Sequence, residues 1–299
     1  MKSRTILLAA AFICAGMLGQ AQIKLTFNPE KGVKYAYRQV VDQKMNNSFG
    51  GQDMAMTNVL EMLTELNIKE KNSNEVTLDY TYKEIAVTVS SAMMNYKVDT
   101  KNAAGNTSDT EKIIASVYDC IIGKPLQVSV STDGTVKSVT GYNAISDEIS
   151  IVLGNLGEME RQMSGMVLQS FSEEAVKNMI QQIVNIYPGK EVKIGDSWVN
   201  DNSFITAGMS NNQKNTSTLK SVGNDVALLD VVAVQTMKPG GGMGMEGEIK
   251  GDFKGETRIN VKTGMIVKSS SEGVSKGKFS GQGMEMSMEI TTKTSFTLQ

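Results

Sequence analysis

Residues 247–261, 265–279 and 284–298 read GEIKGDFKGETRINV, MIVKSSSEGVSKGKF and MEMSMEITTKTSFTL. Along each, charged or hydroxyl-bearing residues alternate with apolar residues or glycine, the period of a strand with one wet face and one dry face. Only Lys262-Thr263-Gly264 and Ser280-Gly281-Gln282-Gly283 separate them, so the three predict an antiparallel meander. Strands this long, with so many Gly and Thr, suit a strongly curved sheet.

Working outward, residues 32–100 carry the same signature in VKYAYRQVV, MAMTNVLEMLTELNI, EVTLDYTYKEIAVTV and AMMNYKVDT. In the third of these Val76, Leu78, Tyr80 and Tyr82 share one parity, and Thr77, Asp79, Thr81 and Lys83 the other. Two helical segments, with a hairpin between them, interrupt the strand text. In SDTEKIIASVYDCIIG, Ser108 and Glu111 have capping-box spacing, and Ile113, Ile114, Val117, Tyr118 and Ile121 follow a helical stripe up to Gly123. LQVSVSTDGTVKSV (126–139) is a hairpin turning at Asp133-Gly134. Residues 144–187 read as helical with a break near Ser170-Phe171-Ser172. There Val176, Met179, Ile180, Ile183, Val184 and Tyr187 form an apolar stripe that Pro188-Gly189 stops.

The predicted fold is α+β: a strongly curved antiparallel sheet, a half-barrel, with about three amphipathic helices on its concave side. The expected organisation is a signal peptide over 1–21, a first β-rich half with one helix over 22–141, a helical segment over 142–187 and a second β-rich half over 188–299. The signal reading rests on Lys2 and Arg4, the apolar run Ile6–Leu18 and the small residues before the expected cleavage after Ala21. Cys14 follows Ile13 inside that run, an unsuitable context for lipid attachment. The mature chain is then expected to be soluble and periplasmic or secreted, with Cys120 as its one thiol and no internal disulfide.

Composition excludes several activities. Loss of Lys2 and Arg4 leaves 28 basic against 32 acidic side chains, so no basic face for nucleic acid is expected. The chain has no histidine, which removes the usual general base and the commonest metal ligand. Histidine-dependent serine or cysteine triads and imidazole zinc sites are thereby ruled out, and no paired-acid or phosphate-loop motif replaces them. The expectation is a protein with no catalytic residues, no cofactor and no metal site.

Two pairs of segments echo each other and suggest an internal duplication. Phe27-Asn-Pro29 leading to Gly32 and Tyr35 resembles Tyr187-Pro188 leading to Gly195 and Trp198; VSVSTDGTVKSV resembles INVKTGMIVKSS. The stretch Pro188, Val192, Gly195, Asp196, Trp198 resembles one that opens the second half of an uncharacterised secreted family of Gram-negative envelopes, grouped by a domain of unknown function. More loosely, the expected plan is similar to that of periplasmic lipoprotein carriers. Those resemblances imply an envelope location and a curved lipid-binding half-barrel. Gly195, Asp196 and Trp198 are read as a turn and a strand-opening anchor, because Asp196 and Ser197 have no histidine to work with.

Of 20 methionines, 18 lie outside the signal, and flexible thioethers suit adaptable apolar surfaces. The first functional reading is therefore an apolar ligand, a lipid or acyl chain, or a partner segment, held between sheet and helices. Its candidate contacts are Met179, Ile183, Met243, Met245, Met284, Met286 and Met288. The others are an envelope scaffold with no small ligand and cuprous copper held by Met-x-Met stretches. A simple meander brings the runs at 243–245 and 284–288 together at one end of the sheet, with Met284, Met286 and Met288 sharing the inward face.

Overall fold

The computed structural model describes residues 22–154, 157, 172–206, 209–240, 245–281 and 284–299. Its strands are β1 (Ile23–Lys24), β2 (Lys34–Phe49), β3 (Gln52–Lys71), β4 (Glu75–Ser91), β5 (Asn95–Asp99), β6 (Pro125–Ser131), β7 (Val136–Thr140), β8 (Glu191–Val192), β9 (Ser197–Thr206), β10 (Met209–Gly223), β11 (Val226–Pro239), β12 (Glu246–Asn260), β13 (Ile266–Gly281) and β14 (Met284–Leu298). The described helices are α1 (Asp109–Asp119), α2 (Tyr142–Gly154) and α3 (Glu173–Val184). None of them is long and apolar enough to cross a membrane.

Twelve strands form one antiparallel sheet in the order β7-β6-β4-β3-β2-β14-β13-β12-β11-β10-β9, with β5 added on β4; β1 and β8 pair separately. The meander predicted for β12, β13 and β14 is present. Its last strand then pairs along its length with β2, Met286 opposite Phe49 through Leu298 opposite Tyr37, so the two β-rich halves share a single sheet. The inner face of the first half is apolar from β3 to β7, and Leu66, Leu78, Tyr80, Tyr82, Val128 and Val139 are all buried. Helix residues Ile114, Ile145, Ile149, Val176, Ile180 and Val184 cover them in one continuous core. Helix α1 begins with the predicted capping box. The Glu111 carboxylate accepts from the main-chain N–H groups of Lys97, Thr107 and Ser108, which hold its pKa down at about 2.

Curvature has a local cause in β12 and β13, where Gly251, Gly255, Gly273 and Gly277 occupy inner-face positions. A Cβ on Gly273 would run into the ring of Phe253 directly across the pair. The ring therefore covers the bare backbone of its neighbour across the pair, an arrangement that suits a curved sheet.

The sheet rolls until its two edges, β7 and β9, both touch α3, and the helix fills the gap where a further strand would close a barrel. Gln181 Nε2 donates to Gly134 O at 2.9 Å, and its Oε1 accepts from Val136 N at 2.8 Å. One turn later Asn185 Nδ2 donates to Asp201 O on β9 at 3.1 Å. Carboxamides four residues apart thus pair with the main chain of both sheet edges, protecting them from other strands.

The echo between the halves extends to hydrogen bonding. Gly32 N donates to Ile68 O while Ile68 N donates to Val33 O; likewise Gly195 N donates to Leu219 O while Leu219 N donates to Asp196 O. Both glycines have positive φ, +80° and +93°.

Candidate functional site: a carboxamide-lined cleft

Where α3 leaves the sheet, a cleft of about 400 Å³ opens between the helix and the inner face of the second half. Met179, Gln182, Ile183 and Ile186 form its helix side; Val41, Val231 and Phe253 give its sheet side an apolar portion. Leu229, Ala233, Ile266 and Phe296 add to that portion, and the other sheet-side residues are polar. Trp198, buried, donates from Nε1 to Ile186 O at 3.0 Å, and Tyr187 donates to Gly264 O at 2.8 Å. These two bonds fix the chain that leaves α3. Burial and the neighbouring Tyr37 push the Tyr187 phenol well above its usual pKa, so it stays a neutral donor.

Register fixes which polar residues face inward. Asn202 lies opposite Gln213 and Gln213 opposite Gln235; Asn200 lies opposite Asn215. Gln213 donates to Asn215 Oδ1 at 3.0 Å, and Gln235 to Asn211 Oδ1 at 3.3 Å. Asn185 reaches from the end of α3 to Asn202 Oδ1 at 2.7 Å, and Asn200 reaches back to Asn185 Oδ1 at 3.3 Å and to Tyr187 O at 3.1 Å. Ser217, Thr257, Ser269 and Thr294 extend this belt with hydroxyls. Among the described residues the one charged residue along the cleft, Lys254, belongs by pleat to the outer face and sits 3.7 Å from Glu272 there. Among the described residues the cleft therefore joins an apolar portion to a polar portion that carries no inward charge. Such a lining hydrogen-bonds neutral groups and offers no counter-ion to a carboxylate, a phosphate or an ammonium.

Met179 and Ile183, expected from the sequence, line this cleft. Met179 is also held at its sulfur by the buried hydroxyls of Tyr82, at 3.8 Å, and Tyr80, at 4.0 Å. The other methionines lie elsewhere. Met245, Met286 and Met288 pack around Met237, Ile249 and Phe279 in a second apolar cluster, separate from the main core. Met288 and Met237 stand in one cross-strand row through Gly277 and Ile249. Met243 and the side chain of Met284 lie outside the described residues. Gly195 and Asp196 form the turn before β9, with Asp196 Oδ2 accepting from Lys193 N at 3.0 Å. Cys120 is buried, and burial raises its thiol pKa.

The residues missed at the sequence level are Asn200, Asn202, Asn211, Gln213, Asn215 and Gln235. A signal existed in β9 and β10, where they recur at every second position, while Gln235 stands alone in β11. It named no face, because β10 is polar on both parities, with Ser210, Asn212, Lys214 and Thr216 on the other side.

No curated protein sequence matches the chain. Among solved structures, lipovitellin is similar over 90% of this chain and 25% of its own, at 10% identity and a TM-score of 0.45, so this chain spans about a quarter of it. The Pseudomonas aeruginosa protein OccK5 (OpdH) is similar over 91% of this chain and all of its own, at 5% identity and a TM-score of 0.27. A putative exported protein with a YmcC-like fold from Bacteroides fragilis follows at 9% identity and a TM-score of 0.20, over 90% of this chain and 97% of its own. At these scores the likenesses bear on neither ligand nor mechanism. The family model described as "Family of unknown function (DUF6263)" matches residues 73–266, about two-thirds of the chain and all of β9 to β12, and the protein belongs to that family.

Proposed function

We propose that this is a non-catalytic binding protein of the cell envelope that holds a neutral amphiphile, a lipid or lipid-like molecule, between α3 and the concave sheet. The observation that carries this reading is the cleft itself: about 400 Å³, within the range of small-ligand sites, apolar along Ile183, Val231 and Phe253 and uncharged along its carboxamides. An amphiphile matches both surfaces, whereas an ionised group would lose its hydration there without gaining a counter-charge. The envelope location rests on the signal-peptide reading of residues 1–21. With no histidine in the chain, binding without chemistry is the economical account.

Native mass spectrometry of the full chain, purified without detergent from its own envelope fraction, tests the proposal. The expected result is a co-purifying lipid-sized mass that an excess of a neutral fluorescent amphiphile displaces. Repeated recovery of bare protein that takes up no such probe would overturn it, leaving a scaffold role without a small ligand.

A further inference from the structure

Two buried carboxamide atoms on residues that line the cleft have no partner among the described residues, and the network around them fixes which two. A main-chain carbonyl can only accept. Asn185 must therefore turn its NH₂ toward Asp201 O, and Asn200 must turn its NH₂ toward Tyr187 O. The same NH₂ of Asn185 reaches Asn202, so it is the oxygen of Asn202 that faces it. What remains is the NH₂ of Asn202 and the oxygen of Asn200. Both are buried and bonded by no described group, and Asn202 is 5% exposed. Both residues line the cleft. Buried carboxamide atoms are seldom left unpaired, and here one donor and one acceptor stand two residues apart on the same face of β9.

We infer that the ligand of this cleft carries a secondary amide, its carbonyl accepting from Asn202 Nδ2 and its N–H donating to Asn200 Oδ1, with an alkyl chain on the apolar side against Ile183, Val231 and Phe253. Alternate side chains of a strand stand about 7 Å apart. A trans amide, whose C=O and N–H point in opposite directions, spans roughly that distance once a hydrogen bond of about 2.9 Å is added at each end. A single hydroxyl between the same groups reaches only about 5.5 Å. An ester or ether presents acceptors alone and leaves the Asn200 oxygen unpaired; an ammonium presents donors alone and leaves the Asn202 NH₂ unpaired. The ligand class is thus an N-acyl amphiphile with no ionised group at the amide. This inference rests on the cleft being the ligand site.

The test compares four probes on the full-length protein by calorimetry below their micelle concentrations: N-methyldecanamide, N,N-dimethyldecanamide, methyl decanoate and a decyl glucoside. The second and third keep the chain and carbonyl but lack the N–H; the fourth offers hydroxyl pairs in place of the amide. The expected result is that N-methyldecanamide binds about tenfold or more tightly than each of the others, the scale set by an unpaired buried acceptor. In Asn202→Asp, which keeps the oxygen facing Asn185 and replaces the free donor by a second oxygen, that preference should disappear. Equal binding of the four probes, or tightest binding of the glucoside, would overturn the amide while leaving a cleft that takes neutral amphiphiles. Binding of none would overturn both. If Asn202→Asp fails to give a cooperative thermal transition, the comparison on the unaltered chain decides alone.

Discussion

At the scale of single residues, the α3 seam depends on a glycine. Gly134 turns the β6–β7 hairpin at φ +88°, and a Cβ there would meet the carbonyl oxygen of Val184 and the ring of Tyr187. Gly134→Ala combines a left-handed backbone with that collision, so we expect a loss of about 1–3 kcal/mol, read as a lower urea midpoint at unchanged slope. A midpoint equal to that of the unaltered protein would show that the turn does not set the position of α3. Asp133-Gly134 was legible in the sequence as a turn, as were the capping residues Ser108 and Glu111, because each acts on atoms within a few positions along the chain. Asn202 was not legible. Its meaning depends on Asn185 and Asn200 meeting around it, and Asn185 reaches β9 from a helix.

At the scale of elements, α3 shows why an amphipathic pattern is an incomplete description. Its apolar stripe, with Val176, Ile180 and Val184 buried, was readable from spacing. Its polar flank reads as a solvated face, yet Gln181 and Asn185 on that flank bond the main chain of two strand edges. Gln181→Ala would leave Val136 N and Gly134 O without partners, at a cost of about 1–3 kcal/mol. Amide exchange at Val136 should accelerate while the β12–β13 pairs keep their protection. Unchanged exchange at Val136 would mean that the carboxamide does not serve as the edge strand's partner. Strand β10 shows the complementary case. Polar on both parities, it takes its facing from Leu219, buried in the main core, and from the registers of β9 and β11. A shift of one residue would turn Asn211, Gln213 and Asn215 outward.

At the scale of the whole molecule, the core is rich in phenols whose ionisation is suppressed. Burial raises the pKa of Tyr37, Tyr80, Tyr82 and Tyr187 far above the ordinary 10.0. Above pH 10 the unfolded chain loses these protons while the folded chain keeps them, so the unfolded state binds fewer protons and stability falls as pH rises. Below pH 10 both states are protonated and these residues contribute no slope. Each tyrosine contributes about 1.4 kcal/mol per pH unit once past its unfolded value, and denaturant melts between pH 9 and 11 should show a steep decline setting in near pH 10. A flat profile across that interval would contradict the buried placement.

The sequence by itself determined the alternating strands, the short antiparallel connections, the helical interruptions, the echo around Gly32 and Gly195, and the exclusion of histidine chemistry. All of these are properties of composition or of neighbours along the chain. Only the tertiary structure decided that β14 pairs with β2, that α3 fills the gap between β7 and β9, that the converging Met245, Met286 and Met288 form a cluster separate from the main core, and that the carboxamides of β9, β10 and β11 face a cleft. The physical reason is that a period of two reports that a strand has two faces, whereas which face turns inward, and what it meets there, is fixed by partners distant in sequence.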